Sequence, residues 1–275
     1  MQMLPTLFVS HGAPTFALDP GLAGANLATL GRRLPRPHAV LVVSPHWMTR
    51  QPQVTLSLRP ATIHDFGGFD ATLYTLQYPA EGAHLAARRA LELLQAAGLP
   101  ATPNADRGLD HGAWVPLSHL YPKADIPVFQ VSLPEWLDAD GAYDYGRVLA
   151  PLAGEGVLIV GSGSLTHNLY EFRLGDPRAQ AYAAEFAHWV RDAVLAGDHP
   201  RLRQALEIAP HARRAHPTAE HYLPLLVAAG AAVQAVPASV IEGGIVHGVL
   251  SMDSFLFGAD LAAMKGADAN QALPD

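Results

Sequence analysis

The chain has 275 residues, of which 49% are hydrophobic and 16% are charged, and its formal net charge at pH 7 is -7. This composition excludes a disordered or coiled-coil protein, and the acidic balance argues against a nucleic-acid-binding protein, which would carry a surplus of basic residues. The chain has fourteen histidines and no cysteine. The absence of cysteine excludes disulfides, thiolate zinc fingers and cysteine nucleophiles, so any metal must be bound by His, Asp or Glu.

Short apolar runs rich in Val, Ile and Leu alternate with longer Ala/Leu-rich stretches along the chain. This pattern predicts one α/β domain with a central, mostly parallel sheet flanked by helices and a site at the carboxyl ends of its strands. In chain order, the predicted strands are 6–10, 39–44, 54–58, 128–133, 156–161, 231–238 and 248–257. The predicted helices are 23–33, 82–97, 141–152, 177–196, 200–207 and 218–229. We expect residues 1–258 to form the domain and residues 259–275 to form a flexible tail.

The N-terminal segment carries no basic residue ahead of its short apolar run, which is typical of a first strand and not of a signal peptide. The longest apolar tract, 223–236, is shorter than the roughly 20 residues that a membrane helix needs. We therefore expect a cytoplasmic protein with neither membrane nor nucleic-acid partners, present as a monomer or a small homo-oligomer.

Three histidines lie just beyond the carboxyl end of a predicted strand. His11 follows the first strand, His46 follows the second, and His167 follows strand 156–161 and a turn of small residues, 161–164. Each one alone is more often structural, capping a loop carbonyl, than a ligand. Because parallel strands end at the same edge of a sheet, the three together favour a shared site.

A second group of histidines opens predicted helices. Asp110 is a good N-cap for a helix that begins at His111, where the helix dipole favours a neutral imidazole; the alternative is a histidine that points to water. In the predicted helix 218–229, Glu220 and His221 would project about 100° apart, so only one of them could reach a metal.

Aromatic residues near these histidines are candidates for the wall of a pocket. Trp47 follows His46 directly, and it could equally be a core residue. The long loop 59–79 contains His64, the glycine-rich run that follows it, and Tyr74. Long ordered loops often cover a substrate, although this one could also be a solvated turn.

Six segments of the chain, taken in their order along the sequence, resemble a known family. They are similar to the class III extradiol ring-cleavage dioxygenases of the LigB type, in particular the DOPA 4,5-dioxygenase-like subgroup. The resemblance extends from residue 4 to about residue 257. The segments are Phe8-Val9-Ser10-His11-Gly12-Ala13-Pro14, Val43-Ser44-Pro45-His46-Trp47, Thr62-Ile63-His64-Asp65-Phe66-Gly67-Gly68-Phe69, Leu109-Asp110-His111-Gly112-Ala113-Trp114, Gly161-Ser162-Gly163-Ser164-Leu165-Thr166-His167-Asn168-Leu169 and Pro217-Thr218-Ala219-Glu220-His221-Tyr222-Leu223-Pro224-Leu225.

The resemblance implies a non-heme metal held by His11, His46 and His221, with Glu220 as the alternative third ligand. It implies Fe(II), because Zn(II) is redox-inert, although a site of three histidines would also suit Zn(II) as the bound metal or as a surrogate. The implied reaction is the cleavage of a catechol ring, DOPA or a related compound, by O2.

The resemblance also assigns roles to residues around the metal. It implies that His167 is the base, and a candidate fourth ligand, and that His111 lies close to the substrate. Trp47, His64 and Tyr74 are expected to contact the substrate. Two alternatives stay open: a zinc-dependent hydrolase that uses a metal-activated water at the same histidines, and a non-catalytic metal-binding homologue.

Overall fold

A computed structural model of the protein describes residues 3–232, 236 and 238–264. The strands are β1 (Thr6–Ser10), β2 (Ala39–Val43), β3 (Met48–Thr49), β4 (Gln53–Thr55), β5 (Thr102–Asn104), β6 (Val128–Gln130), β7 (Leu133–Pro134), β8 (Val157–Gly163), β9 (Ser239–Ile241), β10 (Ile245–Val246), β11 (Leu250–Ser251) and β12 (Ser254–Phe257). The α-helices are α1 (Gly21–Arg33), α2 (His84–Ala96), α3 (His111–Leu120), α4 (Ala139–Leu149), α5 (Pro151–Gly154), α6 (Ala181–Leu195), α7 (His199–Arg203), α8 (Ala205–Ile208), α9 (Ala212–Ala215) and α10 (Leu223–Ala231). Two 3-10 helices cover Pro14–Ala17 and Ala71–Thr75.

The central sheet has six strands in the order β6-β2-β8-β1-β12-β9. The first four strands are parallel to one another, whereas β12 runs antiparallel to β1, and β9 antiparallel to β12. The predicted α/β class with a mostly parallel sheet is therefore confirmed. The carboxyl ends of β1, β2 and β8 lie side by side, which places three of the predicted site histidines at one edge.

Both faces of the sheet are buried, because the strand side chains alternate between two apolar clusters. On β1, Phe8 packs with the layer that contains α4, α6 and α10, while Leu7 and Val9 pack with the layer that contains α1 and α3. All three side chains are almost fully buried. Burial of a side chain of this size stabilises the fold by about 1.5–3 kcal/mol, so the continuous apolar runs fix the sheet between two helical layers.

The predicted helix 218–229 is wrong at its start. Residues 217–222 form a turn, and α10 begins at Leu223 with Pro224 in its first turn, where the missing N–H costs little. Glu220 and His221 therefore lie in the turn ahead of the helix, and the expected helical angle between them does not apply.

Other predicted bounds also shift. The predicted strand 231–238 begins on the last residue of α10 and includes 233–235 and 237, which lie outside the described residues; the observed strand is β9. The predicted strand 248–257 is divided into β11, which pairs with β10, and β12, which pairs with β1 and β9. The predicted helix 200–207 is divided at Gln204 into α7 and α8.

The predicted flexible tail, 259–275, falls largely outside the described residues, which end at Met264. Within the described part, Arg33 of α1 donates hydrogen bonds to the carbonyl oxygens of Leu261 and Met264. The described part of this segment thus packs against α1. Among the described helices, none is both long enough and apolar enough to cross a membrane.

Candidate metal centre

Five histidines meet at the carboxyl ends of the strands. The ring centroids of His11, His46 and His221 form a triangle with sides of 4.9, 5.5 and 5.2 Å, and one ring nitrogen of each lies within 4.8 Å of the other two. The rings of His111 and His167 lie directly beside this triangle, 3.9 Å from His46 and 3.4 Å from His221 respectively. The structure therefore brings together all five residues that the sequence analysis placed at the metal or in catalysis.

The tautomer of His11 is fixed by a serine in the neighbouring strand. Ser162 Oγ donates its hydrogen to the carbonyl oxygen of Gly112, so it can only accept from His11 Nδ1, which lies 3.0 Å away. His11 Nε2 is then left with a free lone pair directed to the cluster. The sequence analysis missed this role, because it treated Ser162 as part of a turn, whereas residues 161–163 extend β8.

The spacing of two ring nitrogens fits a shared metal ion. His11 Nε2 and His46 Nε2 are 3.0 Å apart. Two nitrogens bound at a right angle to one metal, each at about 2.1 Å, would be separated by about 3.0 Å. The two residues therefore lie at the distance expected of adjacent metal ligands.

His221 also has one nitrogen occupied and one free. Its Nδ1 lies 3.1 Å from Glu220 Oε1, which accepts a second hydrogen bond from Thr218 Oγ1 at 2.9 Å. Its Nε2 is buried and has no hydrogen-bond partner among the described residues. A buried nitrogen without a partner is costly unless something binds it, so this atom fits a metal ligand. A carboxylate on the opposite nitrogen is the usual partner of a metal-binding histidine.

Two glycines of β8 allow the chain to bring His221 this close. A Cβ atom at Gly163 would collide with the carbonyl oxygen of His221, and one at Gly161 would collide with that of Pro224. The same carbonyl of His221 accepts a hydrogen bond from the Ser164 N–H at 2.9 Å. The small residues of this segment therefore serve close packing between β8 and the turn before α10.

His167 lies flat against His221, with an angle of 10° between the two rings. Burial lowers the pKa of His167 to about 4, although the charge of Glu220 raises it in part. One ring nitrogen of His167 and a carboxylate oxygen of Glu220 lie within 4.8 Å of a nitrogen of His221. His167 is therefore neutral near pH 7 and has a carboxylate nearby to stabilise a proton that it accepts.

His111 begins α3, as predicted, with the Asp110 side chain accepting from the Ala113 N–H at 3.2 Å. Its Nδ1 lies 3.0 Å from Asp65 Oδ1, in the loop 59–79. The sequence analysis assigned no role to Asp65, although its position within His64-Asp65-Phe66, in a long loop with glycines, was a signal for it. Gly112 has to be a glycine, because a Cβ atom there would collide with Ser44 Oγ.

The three predicted substrate contacts lie outside the group of five histidines. His64 Nε2 donates to the carbonyl oxygen of Leu76 at 2.9 Å, and Tyr74 is 38% exposed. Trp47 is buried, with the guanidinium of Arg107 5.5 Å from its ring centroid.

The three proposed ligands, His11, His46 and His221, are neutral near pH 7. Burial, followed by the neighbouring histidines, holds the pKa of His11 and of His221 well below its usual range. Burial also lowers the pKa of His46 to about 4. Neutral imidazoles offer lone pairs to a cation, and a set of nitrogen ligands suits Fe, Zn, Cu or Ni better than Mg or Ca.

A buried histidine behind the cluster predicts acid sensitivity. His216 Nε2 donates to the carbonyl oxygen of Leu165 at 2.9 Å, its Nδ1 is buried without a partner among the described residues, and burial lowers its pKa to about 4. The unfolded state takes up this proton near pH 6.5. The stabilisation is therefore complete above pH 6.5 and is lost as the pH falls towards 4, by about 3 kcal/mol for this group.

Urea unfolding of metal-free protein between pH 4 and pH 7.5 measures this effect. As the pH is lowered, we expect the free energy of unfolding to fall less in His216→Gln than in the parent protein. The reason is that Gln keeps the hydrogen bond to Leu165 but does not titrate. Parallel curves for the two proteins would contradict the prediction.

Comparisons with known proteins agree with the geometry. Residues 25–251 match the family model described as the catalytic LigB subunit of aromatic ring-opening dioxygenase. The chain is 40% identical over 257 residues to a protein of Beta vulgaris named 4,5-DOPA dioxygenase extradiol, covering 92% of this chain and 96% of that protein. It is 39% identical to a protein of the same name from Escherichia coli K12, covering 93% and 95%. The crystal structure of an uncharacterized protein from Escherichia coli K12 is similar with a TM-score of 0.77 and 35% identity, covering 93% of this chain and 100% of that one.

Proposed function

The chain belongs to the LigB family of aromatic ring-opening dioxygenases, and from this premise we propose that it is an Fe(II)-dependent extradiol dioxygenase whose substrate is DOPA or a closely related catechol. Family membership supports the ring-opening reaction. The choice of iron, the choice of catechol and the roles of individual residues are the proposal.

One observation carries the metal assignment. In two of the three proposed ligands, the nitrogen that points away from the cluster is occupied: His11 Nδ1 by Ser162, and His221 Nδ1 by Glu220. The opposite nitrogens, together with His46 Nε2, are left for a shared ion. We therefore propose His11, His46 and His221 as the ligands and Glu220 as the partner that orients His221, in place of Glu220 as a direct ligand.

Fe(II) in this position would supply open coordination sites for the two catechol oxygens and for O2, and would pass electrons between them. The protein supplies the orientation of the ligands and a largely buried cluster that limits the access of water. Zn(II) would fit the same nitrogens without the redox chemistry, so it serves as a structural surrogate.

The proton of a catechol hydroxyl has to leave as the substrate binds. We propose that a ring nitrogen of His167 takes this proton, because the ring is neutral near pH 7 and lies against the ligand His221. The carboxylate of Glu220 then stabilises the imidazolium. His167 stays a candidate fourth ligand. The metal content of His167→Ala distinguishes the two roles, because the variant keeps its metal if His167 is the base and loses it if His167 is a ligand.

Reconstitution with iron tests the reaction itself. We expect the protein loaded with Fe(II) under nitrogen and then mixed with L-DOPA and air to consume O2 and give a coloured ring-opened product. Chelation of the metal, loading with Zn(II) and exclusion of O2 should each abolish the product. A catechol panel that gave no product with iron demonstrably bound would contradict the proposal, and a substrate hydrolysed without O2 would favour the hydrolase.

The proposal extends to the setting of the enzyme. We propose a cytoplasmic enzyme, a monomer or a small homo-oligomer, with a catechol and O2 as its small-molecule partners. Cell fractionation and sedimentation velocity test these two points independently of the chemistry.

A further inference from the structure

A carboxylate from the loop 59–79 reaches the histidine cluster from outside the sheet. Asp65 Oδ1 accepts two hydrogen bonds from one residue: from the backbone N–H of His111 at 2.9 Å and from its Nδ1 at 3.0 Å. Its other oxygen, Oδ2, lies 3.9 Å from His46 Nδ1. Asp65 therefore contacts His111 twice and lies close to one proposed metal ligand.

Asp65 is ionised near neutral pH. Burial alone would raise its pKa, but the hydrogen bonds that the carboxylate accepts from the side chain and the backbone of His111 favour its charged form and lower the pKa. An ionised carboxylate has no hydrogen to donate, so His111 Nδ1 must carry the hydrogen between them. In a neutral His111 ring, Nε2 then holds the free lone pair.

The loop is anchored so that Asp65 stays at this position. The N–H of Ile63 donates to the carbonyl oxygen of Leu109 at 2.8 Å, and Trp114 Nε1 of α3 donates to the carbonyl oxygen of Ile63 at 2.9 Å. On the other side of Asp65, the ring of Phe66 packs edge-on against His111, with centroids 5.7 Å apart. Asp65 and Phe66 together fix both the protonated nitrogen and the plane of the His111 ring.

We propose that Asp65 is a positioning residue that holds His111 with Nδ1 protonated, so that Nε2 accepts a hydrogen bond from a catechol hydroxyl. This inference rests on the proposed function. It defines the part that His111 plays: with Nδ1 bonded to Asp65, Nε2 is the ring nitrogen that contacts the substrate. The arrangement follows the logic of a carboxylate that orients a catalytic histidine.

Three variants of the iron-loaded enzyme test the inference. Asp65→Ala removes the acceptor and should lower kcat by about 100-fold, with KM within about threefold and the metal content unchanged. Asp65→Asn keeps one oxygen that can accept both hydrogens of His111, so kcat should stay within about tenfold of the parent value. Asp70→Asn is the matched control, because Asp70 is exposed in the same loop and its carboxylate accepts from the Thr72 N–H at 2.8 Å; among the described residues, no histidine of the cluster bonds to it.

A second readout does not depend on turnover. In the zinc-loaded protein, the hydrogen on His111 Nδ1 should give a downfield imidazole proton resonance, assigned by its loss in His111→Gln. We expect Asp65→Ala to lose this resonance and Asp65→Asn and Asp70→Asn to keep it.

Three results would overturn the inference: an unchanged resonance in Asp65→Ala, a parental kcat in that variant, or a loss of activity that is accompanied by equal loss of metal and of fold. A parent enzyme that opened no catechol ring would instead contradict the proposed function. In that case, the loss of the resonance in Asp65→Ala would still support the pairing of Asp65 with His111.

Discussion

Replacement of His167 with alanine is expected to lower kcat for catechol cleavage by about 10²–10⁴-fold while the metal stays bound. The proposed ligands His11, His46 and His221 are untouched by this change. What is lost is the nitrogen that accepts the proton of the substrate hydroxyl. Steady-state kinetics with the iron-loaded variant, together with its metal content, measure both parts of the prediction.

The control for this variant is His188→Ala, which removes a histidine that is exposed on α6 and should change neither quantity. A His167→Ala enzyme with the parental kcat would show that this residue is not the base. An enzyme that lost its metal along with its activity would show instead that His167 is a ligand. The ring of His167 is stacked on that of the proposed ligand His221, with centroids 3.4 Å apart, so both outcomes are distinguished by the metal content.

The positions of His11, His46 and His167 could be predicted from the sequence because each follows a short apolar run that is typical of a buried strand. Parallel strands end at one edge, so their order along the chain did not matter for bringing them together. His111 was equally accessible, because Asp110 is a recognisable N-cap. These predictions rest on local patterns, and the fold preserves local patterns.

The partners of these histidines could not be predicted in the same way. Ser162 is directed to His11 only because β1 and β8 are neighbours in this register, which pairs Val9 with Ser162. Asp65 reaches His111 across 46 residues of sequence through a loop whose path no periodicity specifies. Such contacts depend on the tertiary arrangement, so the sequence alone offered candidates without assigning their roles.

The turn before α10 is the clearest case of a local pattern that misled. Pro217 suits the first turn of a helix, and this favoured a helix that included Glu220 and His221. Pro224 fits the same rule seven residues later, and it lies in the first turn of α10 with its carbonyl oxygen against Gly161 of β8. Because the turn is not helical, His221 and Glu220 can lie side by side, with the carboxylate on Nδ1.

Because Nε2 of His221 is left free for the metal, His221→Ala should abolish stoichiometric binding of Zn(II) or Fe(II) and with it all turnover. One of three ligands is removed, so the loss of affinity should exceed the about 10–100-fold that is typical when only an orienting partner is removed. Glu220→Gln is the matched variant, because the amide oxygen can still accept from His221 Nδ1. We expect it to bind metal with affinity reduced by up to about 100-fold and to regain turnover at saturating metal.

Calorimetric titration of the two metal-free variants with Zn(II) shows whether His221 or Glu220 is the third ligand, without any assay of activity. If Glu220 were the third ligand, Glu220→Gln would lose binding, since a neutral amide is a poor replacement for a carboxylate, and His221→Ala would keep it. The buried Nε2 of His221, which has no partner among the described residues, argues that His221 is the third ligand and that His221→Ala is the variant that loses binding. A three-histidine site also leaves the full charge of the ion uncompensated by its ligands, which should strengthen its hold on a catecholate relative to a site with a glutamate ligand.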